Sequence, residues 1–206
     1  MEKKRMRISV FGQVNDEREL HAYGIVGMEE HTEGIVQFIT NSFCLLCFGR
    51  DAADKKMWTD YGDCGRGICL GLDVKRNMID DITYVPEKKW AEFPPGLIED
   101  VLKQKRFGNR SRKTTPIEKQ AMDYVRPFAL TKFDKYKDEE ECRAFLKRDE
   151  EEGGHYYAKL GAQGMYLQEV ILGNRCTASE DHVKMLVASY SRQPIAVRRS
   201  EAHYDE

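Results

Sequence analysis

The chain is short of several things, and each shortage removes a class of protein. No apolar run approaches the roughly 20 residues a membrane span needs, so no helical span is expected. The first residues, MEKKRMRISVF, carry charge without the apolar core that a secretory signal requires. There is no excess of either charge: 33 basic against 35 acidic residues give a formal charge of -2. Such a balance supplies no general pull toward nucleic acid or anionic lipid. Only 6 of the 206 residues are proline, and no segment reads as a long linker or an internal repeat. With 41% hydrophobic residues, the chain has enough to build one sizeable core and is not disordered throughout.

Six cysteines are present: Cys44, Cys47, Cys64, Cys69, Cys142 and Cys176. Several sit in apolar runs such as FCLLCF, where a thiol behaves as a small hydrophobe. A reducing, cytoplasmic setting is therefore expected rather than a disulfide framework. Cys44-x-x-Cys47 has zinc-like spacing. Strand alternation turns the two side chains to opposite faces, and core thiols are the better reading. No metal site is expected.

Strand and helix signals alternate without a strict β-α-β rhythm. SFCLLCFG (42–49), RGICLGLD (66–73), DITYVP (81–86), MYLQEVILG (165–173) and PIAVRR (194–199) read as strands. DAADKKMWTDYGD reads as a short helix capped by Asp51 and ended by Gly62. Leu97, Ile98, Val101 and Leu102 recur at helical spacing ahead of a basic loop, GNRSRKT (108–114). Thr115, Pro116 and Glu118 open a further helix, expected to stop or kink before Pro127. T-A-S-E (177–180) repeats the capping pattern. KYKDEEECRAFLK is ambiguous between helix and strand, and DEEEGG (149–154) is a solvated turn. The expected class is α+β, a single domain with a central, split mixed sheet flanked by helices.

Four features can carry chemistry. The loop GDCGRG, with Arg66, can approach an anion, although it is neither a P-loop nor a dinucleotide fingerprint; a tight turn explains it equally. Glu139, Glu141 and Arg143 lie two apart and would line one side of a strand, a row costly to bury unless its members pair or face a polar ligand. A Glu-x-Glu there can hold a ribose hydroxyl and steady developing positive charge; on a helix the same residues are a solvated face. Phe48, Trp58 and Tyr61 can rim a flat ring or simply pack. Asp60, Asp63, Glu139 and Glu141 could surround a metal in a hydrolase or nuclease, but carboxylates are too common to select that reading.

Taken in order, CLLCFG, M-W-x-x-Y-G-D-x-x-x-G-I-C-L-G-L-D, T-K-F-D-K-Y-K-D-E-E-E-C-R and L-Q-E-V-I-L-G-N-R resemble the prokaryotic family catalogued as domain of unknown function 2971. The likeness covers roughly residues 42 to 198, leaving 1–41 as a divergent N-terminal segment and 199–206 as a polar tail. The family pattern falls on Cys47, Phe48, Met57, Trp58, Tyr61, Gly67, Lys132, Glu139, Glu141, Arg143 and Gly173. It implies a strand from Glu139 to Phe145. The layout is similar to ADP-ribosyltransferase folds, in which a split sheet binds NAD between an early-strand Arg or His, a middle-strand Ser or aromatic, and a late Glu.

By that analogy Glu141 is the late carboxylate, orienting the nicotinamide ribose and stabilising an oxocarbenium-like state. Glu139 helps to activate the acceptor. Phe48, Trp58, Tyr61, Arg66 and Arg143 contact NAD, with Trp58 and Tyr61 on one wall of a cleft and the acidic strand on the other. The acceptor would be a protein or a nucleic acid, and the role that of a bacterial toxin, defence protein or effector delivered into a target cell. Two departures stand against this. The family's Cys-Phe-Ser reads Cys-Phe-Gly here, at Gly49. Its N-terminal pattern is also missing, leaving Arg5, Arg7 and His21 as stand-ins. The rival reading is a non-catalytic binding module in which Glu139, Glu141 and Arg143 form a structural ion-pair row.

Overall fold

The computed structural model describes residues 4–11, 20–26, 29–92, 94, 96–97, 116–148, 150–161, 164–190 and 193–202. In chain order these form β1 (Arg5–Ile8), β2 (Tyr23–Ile25), α1 (Glu29–Ser42), β3 (Phe43–Phe48), α2 (Lys55–Asp60), β4 (Ile68–Val74), β5 (Asp80–Asp81), β6 (Thr83–Val85) and β7 (Lys89–Ala91). There follow α3 (Pro116–Ala129), β8 (Thr131–Phe133), β9 (Cys142–Lys147), β10 (Glu151–Glu152), β11 (His155–Lys159), β12 (Met165–Leu172), α4 (Glu180–Tyr190) and β13 (Ala196–Arg199). The class is α+β. The strands fall into five small sheets of two or three strands each. The helix expected over Leu97 to Phe107 and the basic loop 108–114 lie outside the described residues apart from Leu97.

The chain folds as two compact units, each assembled from separated stretches. One gathers Met1–Met6, Gly49–Met78 and Lys159–Glu206; the other gathers Arg7–Phe48 and Ile79–Ala158. The first is built on a sheet ordered β13-β12-β4. The central strand β12 runs antiparallel to β4, with Ile171 opposite Cys69, and parallel to β13. Val170, Ile171 and Leu172 are all buried, as a central strand covered on both faces requires. Trp58 packs on Ile171 and Ala202.

Helix α2 starts one turn later than expected. Asp54, not Asp51, is the N-cap, accepting from the amides of Lys56 and Met57; the Asp51 carboxylate instead accepts from the Ala53 amide. Likewise Ser179, not Thr177, caps α4, its hydroxyl accepting from the His182 amide at 3.2 Å.

The second unit centres on the antiparallel sheet β3-β9-β5. Helix α1 presents Ile35, Phe38 and Ile39 on one face, and these pack with Phe43, Leu45, Val125, Phe128 and Ala129 into a single core. Phe43 stacks on Phe145 across β3 and β9, centroids 4.3 Å apart. The run FCLLCF emerges from burial along its length: Phe43, Cys44 and Leu45 are buried and Cys47 is exposed. Its two cysteines therefore face apart, as alternation predicts. All six cysteines are free thiols.

Three expectations needed correction here. Of the expected stop or kink before Pro127, the stop does not occur, and helix α3 runs through Pro127 to Ala129; so near the end the proline withdraws only its own amide's bond to the preceding turn. DITYVP divides into β5 and β6. The expected strand from Glu139 begins only at Cys142, because Asp134–Glu139 wind into a 3-10 turn and Glu140 takes a left-handed conformation at φ 41.

Candidate functional site

The chain reversal between β8 and β9 brings the charged residues of the second unit together. β8 carries Lys132. The 3-10 turn returns the chain, and Glu140 then redirects it into β9. Lys132 Nζ thereby donates to Glu139 Oε2 at 2.7 Å and to Glu141 Oε2 at 3.0 Å. Arg143 grips the same carboxylate in a fork: Nε donates to Glu141 Oε1 at 2.5 Å and Nη2 donates to Oε2 at 3.0 Å. Its remaining nitrogen, Nη1, donates to the Ala129 carbonyl at the end of α3 at 2.7 Å.

The backbone at Glu141 is also held. Its N–H donates to the Tyr84 hydroxyl at 2.9 Å, and its carbonyl accepts from the Ile82 amide at 3.2 Å. The Cys47 thiol, opposite Arg143 in the β3–β9 register, donates to the Glu141 carboxylate.

This cluster is deep. Arg143 is 1% exposed, Lys132 5% and Glu141 8%. Two cations and two carboxylates sum to zero, which is what lets them leave water together. Burial pushes the Glu141 carboxyl up, but the hydrogen bond and charge of Arg143, with the charge of Lys132, outweigh it and hold the group below its ordinary 4.5. Burial likewise pulls Lys132 down, and the two glutamates more than reverse that, raising it above its ordinary 10.5.

The signs give a pH prediction. A carboxyl lowered on folding contributes stability in full above its unfolded value and loses it as pH falls through the folded one. Glu141 therefore helps to hold the fold at neutral pH and ceases to do so in acid, below pH 4.5. Lys132 holds throughout and fails only above pH 10.5. In acid titration followed by circular dichroism, Glu141→Gln is expected to start less stable than wild type and to lose less on going from pH 6 to pH 3. An equal loss in both proteins would contradict the assignment.

The other sequence candidates are distributed as follows. Phe48 closes β3, half-buried and opposite Cys142, so it joins the Glu141 side of the second unit. Glu139 is not on the strand but still joins Glu141, through Lys132. Trp58, Tyr61 and Arg66 belong to the first unit. There Trp58 is 4% exposed, and its indole N–H donates to the Ala52 carbonyl at 2.7 Å. It is a core residue with its polar atom satisfied, which corrects its expected place on a cleft wall. Tyr61 is 54% exposed. Arg66 is exposed beside Asp63, 3.6 Å away.

The glycine loop is used for packing. Gly67 O accepts from the Gly173 amide at 3.0 Å and Gly65 O from the Arg175 amide at 2.9 Å. A Cβ on Gly62 would meet the Trp58 ring at 2.5 Å.

Sequence reasoning gives no role to Lys132 or Cys47, which enter only through the resemblance, and does not single out Tyr84. Lys132 carried a signal, since the T-K-F block belongs to the family pattern. Tyr84 carried none beyond an aromatic hydroxyl in a short strand. Among the described residues, no group of three or more His, Cys, Asp or Glu side chains is placed to hold a metal ion, and no helix is long and apolar enough to cross a membrane. Comparison with protein-family models, with curated proteins and with solved structures found no match.

Proposed function

We propose that this chain is an NAD-dependent transferase of the ADP-ribosyl type, acting on a protein or nucleic-acid acceptor as a bacterial toxin, effector or defence protein. One observation carries the reading. Such a site needs an early, a middle and a late segment side by side; β1 itself pairs with β11, but the chain just beyond it reaches β3. Ser9, just after β1, bridges Leu45 of β3, and β3 pairs along its whole length with β9. Glu141 stands immediately before β9, and Phe48 closes β3 opposite the first residue of that strand. The resemblance in the Met-Trp and Glu-x-Glu-x-Arg blocks supports the same reading.

The residues fit NAD in part. Arg143 does not suit a phosphate contact, since it is buried and spent on Glu141 and the Ala129 carbonyl. Arg7, exposed on β1, is the better candidate for the pyrophosphate and for the missing early-strand group. NAD, when bound, supplies a glycosidic bond activated by its positively charged leaving group. Glu141, kept ionised and fixed by its partners, accepts a ribose hydroxyl and lends negative charge. Glu139, held to Glu141 through Lys132, accepts the proton of the attacking acceptor group.

A second reading has its own observation. Both Glu141 oxygens are already engaged and the cluster is neutral, as a structural brace would be. That favours a non-catalytic binding module. Calorimetric titration with NAD separates the two. Saturable binding that Arg7→Ala weakens by tenfold or more supports the transferase; absence of heat across millimolar NAD leaves the brace.

Gly49 gives an independent check. A Cβ there meets only the flexible Met57 side chain, at 3.4 Å, so Gly49→Ser should fold with a melting temperature close to wild type. Restoring the family's hydroxyl should then raise NAD turnover severalfold. An unchanged rate would mean that the hydroxyl has no part in the site.

A further inference from the structure

The first unit contains two thiols whose surroundings suit a pairing. Past a register shift between Leu167 and Glu169, the β4–β12 ladder keeps one antiparallel register, with Leu70 opposite Val170, Cys69 opposite Ile171 and Ile68 opposite Leu172. Beyond the strand ends the same register continues in the backbone bonds. The Gly173 amide reaches Gly67 O, and two residues further the Arg175 amide reaches Gly65 O. Counted on in that register, Cys64 and Cys176 come next.

Both chains turn just there. Asp63 and Cys64 are left-handed, at φ 49 each, and the Cys176 amide folds back to the Gly173 carbonyl at 3.0 Å. Each cysteine is thus covalently next to one partner of a 2.9 Å hydrogen bond, on a turn rather than inside a sheet. Both are half-buried free thiols. A disulfide spans a Cα separation of about 4.4–6.8 Å, and each cysteine is one residue from the backbone bond that joins the two turns. The remaining thiols are differently placed. Cys44 and Cys142 are buried and Cys47 is exposed, while Cys69 lies within β4 opposite Ile171.

We propose that Cys64 and Cys176 form a reversible redox pair that locks the glycine loop Gly62–Gly67 to the turn after β12. The oxidant is a low-molecular-weight disulfide such as oxidised glutathione. The thiolate of one cysteine attacks it, forming a mixed disulfide and releasing one reduced glutathione. The thiolate of the other then displaces the second glutathione. One Cys64–Cys176 bond forms, two protein S–H bonds are lost, and one glutathione disulfide is reduced to two thiols, which take up the two protons. In a reducing cell such a bond is a transient signal rather than a structural staple. It is independent of what the second unit binds.

The test is exposure of the full chain to oxidised glutathione, alkylation of the remaining thiols, and peptide mapping without reduction. The expected result is a Cys64–Cys176 linked peptide, with two of the six thiols protected and a higher melting temperature that reductant reverses. Cys64→Ser and Cys176→Ser should each abolish both the linked peptide and the stabilisation while folding normally when reduced. Retention of all thiols, a different pairing such as Cys64 with Cys69, or glutathione adducts that never resolve would each overturn the proposal.

Discussion

Replacing Arg143 with methionine is expected to destabilise the second unit by about 3–5 kcal/mol, the cost of leaving a buried charge without its partner. That is a large share of the roughly 5–15 kcal/mol that holds a typical domain together. The melting temperature should fall by roughly 10 °C or more. The reason is local. Arg143 is 1% exposed, forks onto Glu141, and ties the end of α3 to β9 through the Ala129 carbonyl. Methionine matches much of its volume but none of its donors, so Glu141 keeps only Lys132 as a cationic partner and the Ala129 carbonyl loses a donor. The double variant Arg143→Met/Glu141→Leu should recover part of the loss, because it removes both members of the pair. Thermal denaturation of the three proteins decides. A single variant within about 1 kcal/mol of wild type would show that the pair contributes little.

Gly173→Ala is the second large effect, expected at about 2–3 kcal/mol from overpacking. A Cβ at this position would lie 2.0 Å from the Gly65 carbonyl oxygen and 2.5 Å from its carbon. The obstacle is backbone, so it cannot swing aside as a side chain would. The loop must retreat, and with it the support behind Trp58, whose ring already contacts the loop at Gly62. The chain has 2 tryptophans, and the other, Trp90, is 47% exposed. In a Trp90→Phe background, the emission of Trp58 should shift to the red in Gly173→Ala. Emission and melting unchanged from the parent would contradict the packing described for this loop.

Much of the fold was legible because local signals agreed with tertiary ones. The runs at 42–49, 66–73, 165–173 and 194–199 became β3, β4, β12 and β13 nearly as read, since length, apolar content and flanking glycine all favour strands. Where two local rules competed, reading failed by a few residues. Asp51 and Asp54 are both plausible caps, and only Asp54 is one residue before the first helical turn. Thr177 and Ser179 compete in the same way. KYKDEEECRAFLK was harder. Its 3-10 turn sets Glu139 and Glu141 against Lys132 on the strand just before it, a pairing that neither helical nor strand periodicity announces.

The candidate site was legible in its charges and not in their bonding. Spacing brought out Glu139, Glu141 and Arg143 as a row, and the structure joins them, but through Lys132 and with Glu139 on a turn. Trp58 reads as rim or core alike in the sequence, because aromatic spacing cannot separate the two. The indole bond to Ala52 is local, whereas burial against Ile171 arises only once β12 has come alongside.

Nicotinamide release from NAD, with cell lysate as acceptor source, decides between a transferase and a brace. Wild type is compared with Glu141→Gln and Glu139→Gln, each first shown by its melting curve to be folded at the assay temperature. Release by wild type is expected, with a fall of at least a hundredfold in Glu141→Gln and a smaller fall in Glu139→Gln confined to transfer onto the acceptor. Equal release from wild type and a folded Glu141→Gln, or none from wild type, would contradict the transferase and leave the buried cluster as a brace.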